Sequence, residues 1–196
     1  MTLAFAENNH RYQDQCVIIP SVGQIMKLCG LDYTANIPPH ILDPGRLVGK
    51  TVHLACQWLD QGCLDLDSLG KEIVGFVVSY QKFREYYSPE WLDIEKPMQG
   101  EYQGLGFAGT PDRIGRIQDK SAVADLKTSS KPQPAWAIQL AGYQFMSGVD
   151  LRMTVWLQKD GSFEVISYTD TGDEEAFKAS VTLAHWRIAH GTKIPD

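Results

Sequence analysis

Two aspartates and a lysine stand in segments that otherwise read as buried strands: Asp112 in GTPDRIG, and Asp125 with Lys127 in SAVADLK. A carboxylate taken out of water must be paired, protonated or bound to a metal. If Asp119-Lys120 form a two-residue hairpin loop, Gln118 pairs with Ser121, Asp112 lies opposite Lys127, and Asp125 lies opposite Ile114. Side chains alternate faces along a strand, so Asp112, Asp125 and Lys127 share one face, and any even loop length keeps them there. Cross-strand and diagonal spacings of roughly 5–8 Å would let both carboxylates reach one hard cation. Two aspartates, the backbone carbonyl of Leu126 and waters would complete the octahedral shell of Mg²⁺. Lys127 would help deprotonate a water and stabilise negative charge forming on a phosphate. That is equipment for phosphodiester hydrolysis. On spacing alone a second reading stays open, because D-x-K is common: Asp112 caps a turn after Pro111, and Asp125 and Lys127 pair on an exposed edge strand.

The elements that must position these residues are legible in outline. Ser21, VGQIMKLC and Gly30 read as a short capped helix. Val48, Val52, Ala55 and Leu59 recur at helical spacing over about 46–60, and a second helical pattern covers about 69–86. The period then changes: WLDIEKPMQ, GLGFAGTP, DRIGRIQ and SAVADLK read as successive strands of an antiparallel meander. A helix follows over about 134–146, with Pro134 suited to its first turn. LRMTVWLQ and SFEVISY flank a KDG hairpin turn, and a last helix over about 172–190 carries its acids first and its bases near the end. PGRLVGKT resembles a phosphate-binding loop but has Pro44 where that motif needs glycine, so it reads as a helix start.

With 196 residues, 43% hydrophobic and 21% charged, the chain suits one well-cored domain: a helical part over about 21–86, a catalytic core over about 91–168, and the C-terminal helix. The longest apolar run, IVGFVVSY, is too short to span a membrane, and the N-terminus lacks the basic start and apolar stretch of a signal peptide. A cytoplasmic protein with no membrane partner is the default. Cys16, Cys29, Cys56 and Cys63 show no CxxC spacing and read as reduced, buried side chains. The net charge of −6 is wrong for a broadly basic nucleic-acid binder. It is uneven, however: 111–159 holds seven basic and four acidic residues, and the rest holds eleven and twenty. The odd aspartates lie in the basic stretch.

GTPDRIG, ADLKTS and QLAGY, in that order, resemble the motifs of the PD-(D/E)XK nuclease superfamily in its RecB-like exonuclease branch, which includes phage and CRISPR-associated exonucleases and the mitochondrial genome maintenance exonuclease. The resemblance implies an α/β restriction-endonuclease-like fold, a mixed central sheet flanked by helices with the active site at one edge. It implies that Asp112 and Asp125 bind metal, with the Leu126 carbonyl, and that Lys127 is catalytic. Gln139 and Tyr143, four apart on a helix, would contact nucleic acid and support the lysine. Arg113 and Lys131 would meet phosphates. His53, in GKTVH, would be an upstream metal ligand, and Glu95 an accessory acid. Trp136, Tyr143, Tyr102 and Phe107 are aromatic groups that could stack on bases or line the core. The expected activity is Mg²⁺- or Mn²⁺-dependent exonucleolytic cleavage of DNA at single strands or ends. A structure-specific endonuclease and an inactive DNA- or protein-binding module are the alternatives. No cysteine follows the motifs, so no iron–sulfur cluster is expected, and a helicase or recombination partner would be a separate protein.

Overall fold

The computed structural model describes residues 3–6, 11–14, 17–32, 34 and 37–195. Five strands form the central sheet in the order β10 (Phe163–Ser167), β9 (Leu151–Leu157), β8 (Lys120–Lys127), β7 (Arg113–Ile117), β4 (Glu90–Ile94). All pairs are antiparallel except β8 with β9, which α4 (Ala135–Ser147) joins as a parallel crossover. The sheet is therefore mixed and flanked by helices, as expected. β8 lies at its centre with helices on both faces, so alternate residues feed two cores. Ala122, Ala124 and Leu126 pack under α2 (Pro39–Asp60) and α3 (Val74–Tyr87), with Val52, Phe76 and Phe83. Val123 joins the opposite cluster, with Val22 and Ile25 of α1 (Val22–Leu28), Leu140 of α4 and Phe177 of α5 (Gly172–Ala189). Asp125 shares Val123's face and is 3% exposed, which excludes the exposed edge-strand reading.

The anticipated meander is interrupted. WLDIEKPMQ breaks at Glu95, where φ is +49, and at Pro97, which has no N–H to donate. It becomes β4 of the main sheet and β5 (Met98–Tyr102) of a separate hairpin with β6 (Leu105–Gly109), so β4 pairs with β7 instead of β5. A further three-stranded sheet of β1 (Leu3–Ala6), β2 (Arg11–Asp14) and β3 (Val17–Ile19) had no sequence signal. Helix α2 begins before the periodic stretch and contains Pro44. Pro39 supplies the pre-set φ that starts it, and Pro44 removes only one early bond. Of the cysteines, Cys56 is buried and Cys63 exposed, both as free thiols; Cys16 lies outside the described residues. No described helix is long and apolar enough to cross a membrane.

The β7–β8 turn is Gln118-Asp119, both at positive φ (+50 and +66), and Ile117 pairs with Lys120. This is one residue earlier than the sequence suggested. Such a turn needs two left-handed residues, and aspartate tolerates that conformation better than lysine does. The loop is still two residues long, so the face assignment survives while the partners slide by two: continuing the ladder from Arg113↔Ala124 sets Asp112 across from Asp125.

Gly115 on β7 permits the close approach of β4. A Cβ there would lie 2.0 Å from the Glu90 carbonyl oxygen and 2.8 Å from Trp91 Cα, both backbone atoms that cannot swing aside. Gly115→Ala is expected to destabilise the protein by about 3 kcal/mol, measured as a lowered urea midpoint. An unchanged midpoint would mean that β4 can move away freely.

Candidate metal centre and active site

Asp112 sits where the chain enters β7, and three groups fix it. Its Oδ2 accepts the Leu126 N–H at 2.6 Å, and its own carbonyl accepts the Glu95 N–H at 3.0 Å and Arg113 Nη1 at 2.7 Å. His53 comes from α2: Nε2 lies 2.9 Å from the Leu126 carbonyl, and Nδ1 lies 3.4 Å from Asp112 Oδ1 and 3.7 Å from Glu95 Oε1. Ligand atoms of His53, Glu95 and Asp112 all lie within 4.8 Å of one another, close enough to reach one divalent cation. One imidazole and two carboxylates suit Mn²⁺, and Mg²⁺ with retained waters. The Leu126 carbonyl, expected as a ligand, lies against His53 Nε2 and orients the ring, a support of the kind metal-binding imidazoles commonly have.

Asp125 and Lys127 form the second half. Lys127 Nζ lies 2.6 Å from Asp125 Oδ2 and donates to Gln139 Oε1 at 3.1 Å; Gln139 Nε2 in turn donates to the Tyr143 hydroxyl at 3.2 Å. One face of α4 therefore aims the lysine. Asp125 lies outside the three-donor group, tied to Lys127 beside it. The centre lies at the ends of β7 and β8, two inner strands, not along the sheet's lateral edge.

Electrostatics divide the two aspartates. Burial raises the proton affinity of both. At Asp112 the His53 and Lys127 charges and the Leu126 N–H overcome it, and the pKa falls below the ordinary carboxylate value. At Asp125 burial, together with the Asp112 charge, outweighs Lys127, and the pKa rises. Burial opposes a charge on His53, yet Asp112 and Glu95 hold its proton up to about 10. In the metal-free protein an imidazolium thus occupies the place suited to a cation. Tyr143 is pushed well up by burial and by the Asp125 charge.

Arg113 corrects an expectation. It is wholly buried, so it cannot meet a phosphate. Its Nε donates to Asp60 Oδ2 at 2.7 Å, and Nη1, besides holding the Asp112 carbonyl, lies 3.8 Å from Glu95 Oε1. Asp60 also accepts the Tyr80 hydroxyl at 2.8 Å and pairs with Arg84 at 3.2 Å. Asp60 lies two turns beyond His53 on α2, so this buried network ties the histidine's helix to the strand bearing Asp112. An acid at that distance from His53 was the available sequence signal, and it was missed. Tyr143, 7% exposed, supports Gln139 and offers little surface to a ligand; Trp136 and Phe107 are buried core. Tyr102 packs edge-on against Phe145, and Lys131 is exposed on the loop before α4.

No protein-family model matches the chain, and no curated protein matches it in sequence. Solved structures do resemble it in fold. A candidate exonuclease from Eubacterium rectale is similar at a TM-score of 0.59 and 18% identity, over 88% of this chain and 80% of that one. An alkaline exonuclease from Laribacter hongkongensis is similar at a TM-score of 0.51 and 12% identity, over 88% of both chains. The same enzyme in complex with dAMP gives 0.50 and 12%, again over 88% of both.

His53 can ligate only when neutral, so metal must displace its proton. Mn²⁺ titrated near neutral pH is expected to release about one proton per ion, seen as a dependence of calorimetric heat on buffer ionisation enthalpy, with affinity rising about tenfold per pH unit. Without metal, the stabilisation that His53 draws from its carboxylates is full below its ordinary value of 6.5 and is lost as pH rises through about 10. Binding independent of pH would remove His53 from the ligand set. Asp60→Ala, which strands Arg113 as an unpaired buried charge, is expected to cost about 3–5 kcal/mol in urea unfolding; a loss under 1 kcal/mol would show that water replaces the carboxylate.

Proposed function

We propose that this protein is a divalent-metal-dependent nuclease that hydrolyses DNA phosphodiester bonds exonucleolytically, acting on single strands or ends. One observation carries the proposal: the His53, Glu95 and Asp112 donor group stands beside Asp125 and a Lys127 aimed by Gln139, at one end of the sheet. The fold neighbours described as exonucleases, one of them holding a deoxynucleoside monophosphate, support it. The order of GTPDRIG, ADLKTS and QLAGY supports the RecB-like branch of the PD-(D/E)XK superfamily.

Asp112, Glu95 and His53 would hold the ion, and Asp125 stands next to them. When bound, Mg²⁺ or Mn²⁺ supplies Lewis acidity at the scissile phosphate. The remaining work belongs to the chain. His53 keeps its Nε2–H on the Leu126 carbonyl, which fixes the ring with Nδ1 facing the carboxylates. Asp125, the more basic aspartate, is suited to take a proton from the attacking water at a carboxylate oxygen. Lys127, clamped between Asp125 and Gln139, presents a positive charge that is already oriented when negative charge grows on the phosphoryl oxygens. The hydrogen bond from Gln139 to Tyr143 stops the amide turning and offering the lysine its NH₂ group instead. Glu95 holds a left-handed backbone conformation that strains any residue but glycine, a cost that functional sites commonly carry.

End-labelled single-stranded DNA incubated with Mn²⁺ or Mg²⁺ is expected to be degraded from its ends, and chelator should stop the reaction. Closed circular DNA should survive. Lys127→Ala and Asp125→Asn are expected to lower the rate by at least about 10²-fold. Cleavage that persists in chelator, or undiminished rates in both variants, would refute the assignment; cutting of circles would convert it to an endonuclease.

A further inference from the structure

A groove between α1 and α2 opens onto the candidate centre. It encloses about 890 Å³, with Lys27 on one wall, Gly49, Lys50 and Leu54 on the other, and His53 and Glu95 at its inner end. Glu95, at the inner end, is the one acid among the described lining residues, whereas Lys27 and Lys50 are exposed nearer solvent. On a protein of net charge −6, that is a local path a polyanion can follow. The volume lies within the ~300–1,000 Å³ of ligand pockets, room for a short run of unpaired nucleotides.

Gly49 adds an independent observation. α2 holds two glycines, the poorest helix formers after proline: Gly45 in its second turn, with nothing within 4 Å of where a Cβ would stand, and Gly49 farther in, beside the candidate centre. Packing supplies a reason for glycine at Gly75, Gly115 and Gly142, where an added Cβ would fall 2.6 Å or less from a neighbouring atom. It supplies none at Gly49, where a Cβ would meet Thr128 Oγ1 at an ordinary 3.5 Å. Gly49 lies one turn from His53 and lines the groove, so the side chain it lacks leaves space beside the metal donors. Leu54, 43% exposed on the same helix, adds apolar surface of the kind a base can cover.

We propose that this groove seats a single strand of DNA on its way to the His53–Glu95–Asp112 centre, with Lys27 and Lys50 meeting its phosphates and Gly49 making room for its backbone. The proposal deepens the nuclease reading and rests on it for the strand's destination.

The test is fluorescence anisotropy with a short labelled oligothymidine in chelator, where binding is measured without cleavage. The wild-type protein is expected to bind the oligonucleotide in preference to a blunt duplex of equal length. Lys27→Gln with Lys50→Gln is expected to weaken binding about tenfold and to flatten the slope of log affinity against log salt by about 1.4, at ~0.7 per phosphate contact on a single strand. Gly49→Leu is expected to weaken binding to a similar degree while its melting temperature stays level or rises. Affinity and salt slope unchanged in these variants, equal affinity for blunt duplex, or no wild-type binding overturns the proposal. Binding that behaves as stated, without metal-dependent cleavage under any condition, supports the groove and removes the nuclease reading. Cleavage by wild type with unchanged KM in the groove variants does the reverse.

Discussion

Two carboxylates are buried side by side at the ends of β7 and β8, and the local structure is arranged to make that tolerable. Asp112 and Asp125 are 7% and 3% exposed, and neighbouring aspartates in a low-dielectric interior repel each other strongly. The protein answers with cations from separate elements: His53 from α2 and Lys127 from β8, with the buried Arg113 supporting the Asp112 backbone. The two sites respond differently, one carboxyl held acidic and the other basic, which is how paired carboxylates come to take different roles. His53 lies within 4 Å of both Asp112 and Glu95, and these carboxylates raise its proton affinity, so the pocket favours positive charge.

What the sequence revealed of this arrangement follows from parity. Strand alternation needs only the evenness of the turn, so the shared face of Asp112, Asp125 and Lys127 is predictable even though the turn lies one residue earlier and the partners are displaced by two. Helix spacing likewise places Gln139 and Tyr143 together, and their hydrogen bond follows. Register and topology are less legible. The departure of β5 and β6 from the main sheet depends on a positive φ at Glu95, which no residue preference announces, and on Pro97. That break also turns Glu95 toward His53, so the departure from regular pairing and the third donor have one origin.

Arg113 shows why residue type alone misleads. An arginine in a motif beside a metal-binding aspartate looks like a phosphate contact, but strand alternation sends it to the opposite face from the lysine, into the core beneath α2 and α3. There it meets Tyr80 and Asp60, and Asp60 pairs in turn with Arg84. Such a buried ion pair adds little net stability, because desolvation offsets much of the attraction. It does fix direction: the same guanidinium that binds the end of α2 holds the Asp112 carbonyl, so the histidine's helix and the aspartate's strand cannot shift independently.

The central claim is that these donors enclose a divalent ion, and crystals soaked in Mn²⁺ and measured for anomalous scattering test it most directly. A single strong peak at coordination distance from His53 Nδ1 and from carboxylate oxygens of Asp112 and Glu95, with Lys127 still on Gln139, is the result this account requires. Manganese bound elsewhere, or a vacant pocket with His53 still against both carboxylates at saturating Mn²⁺, would contradict it.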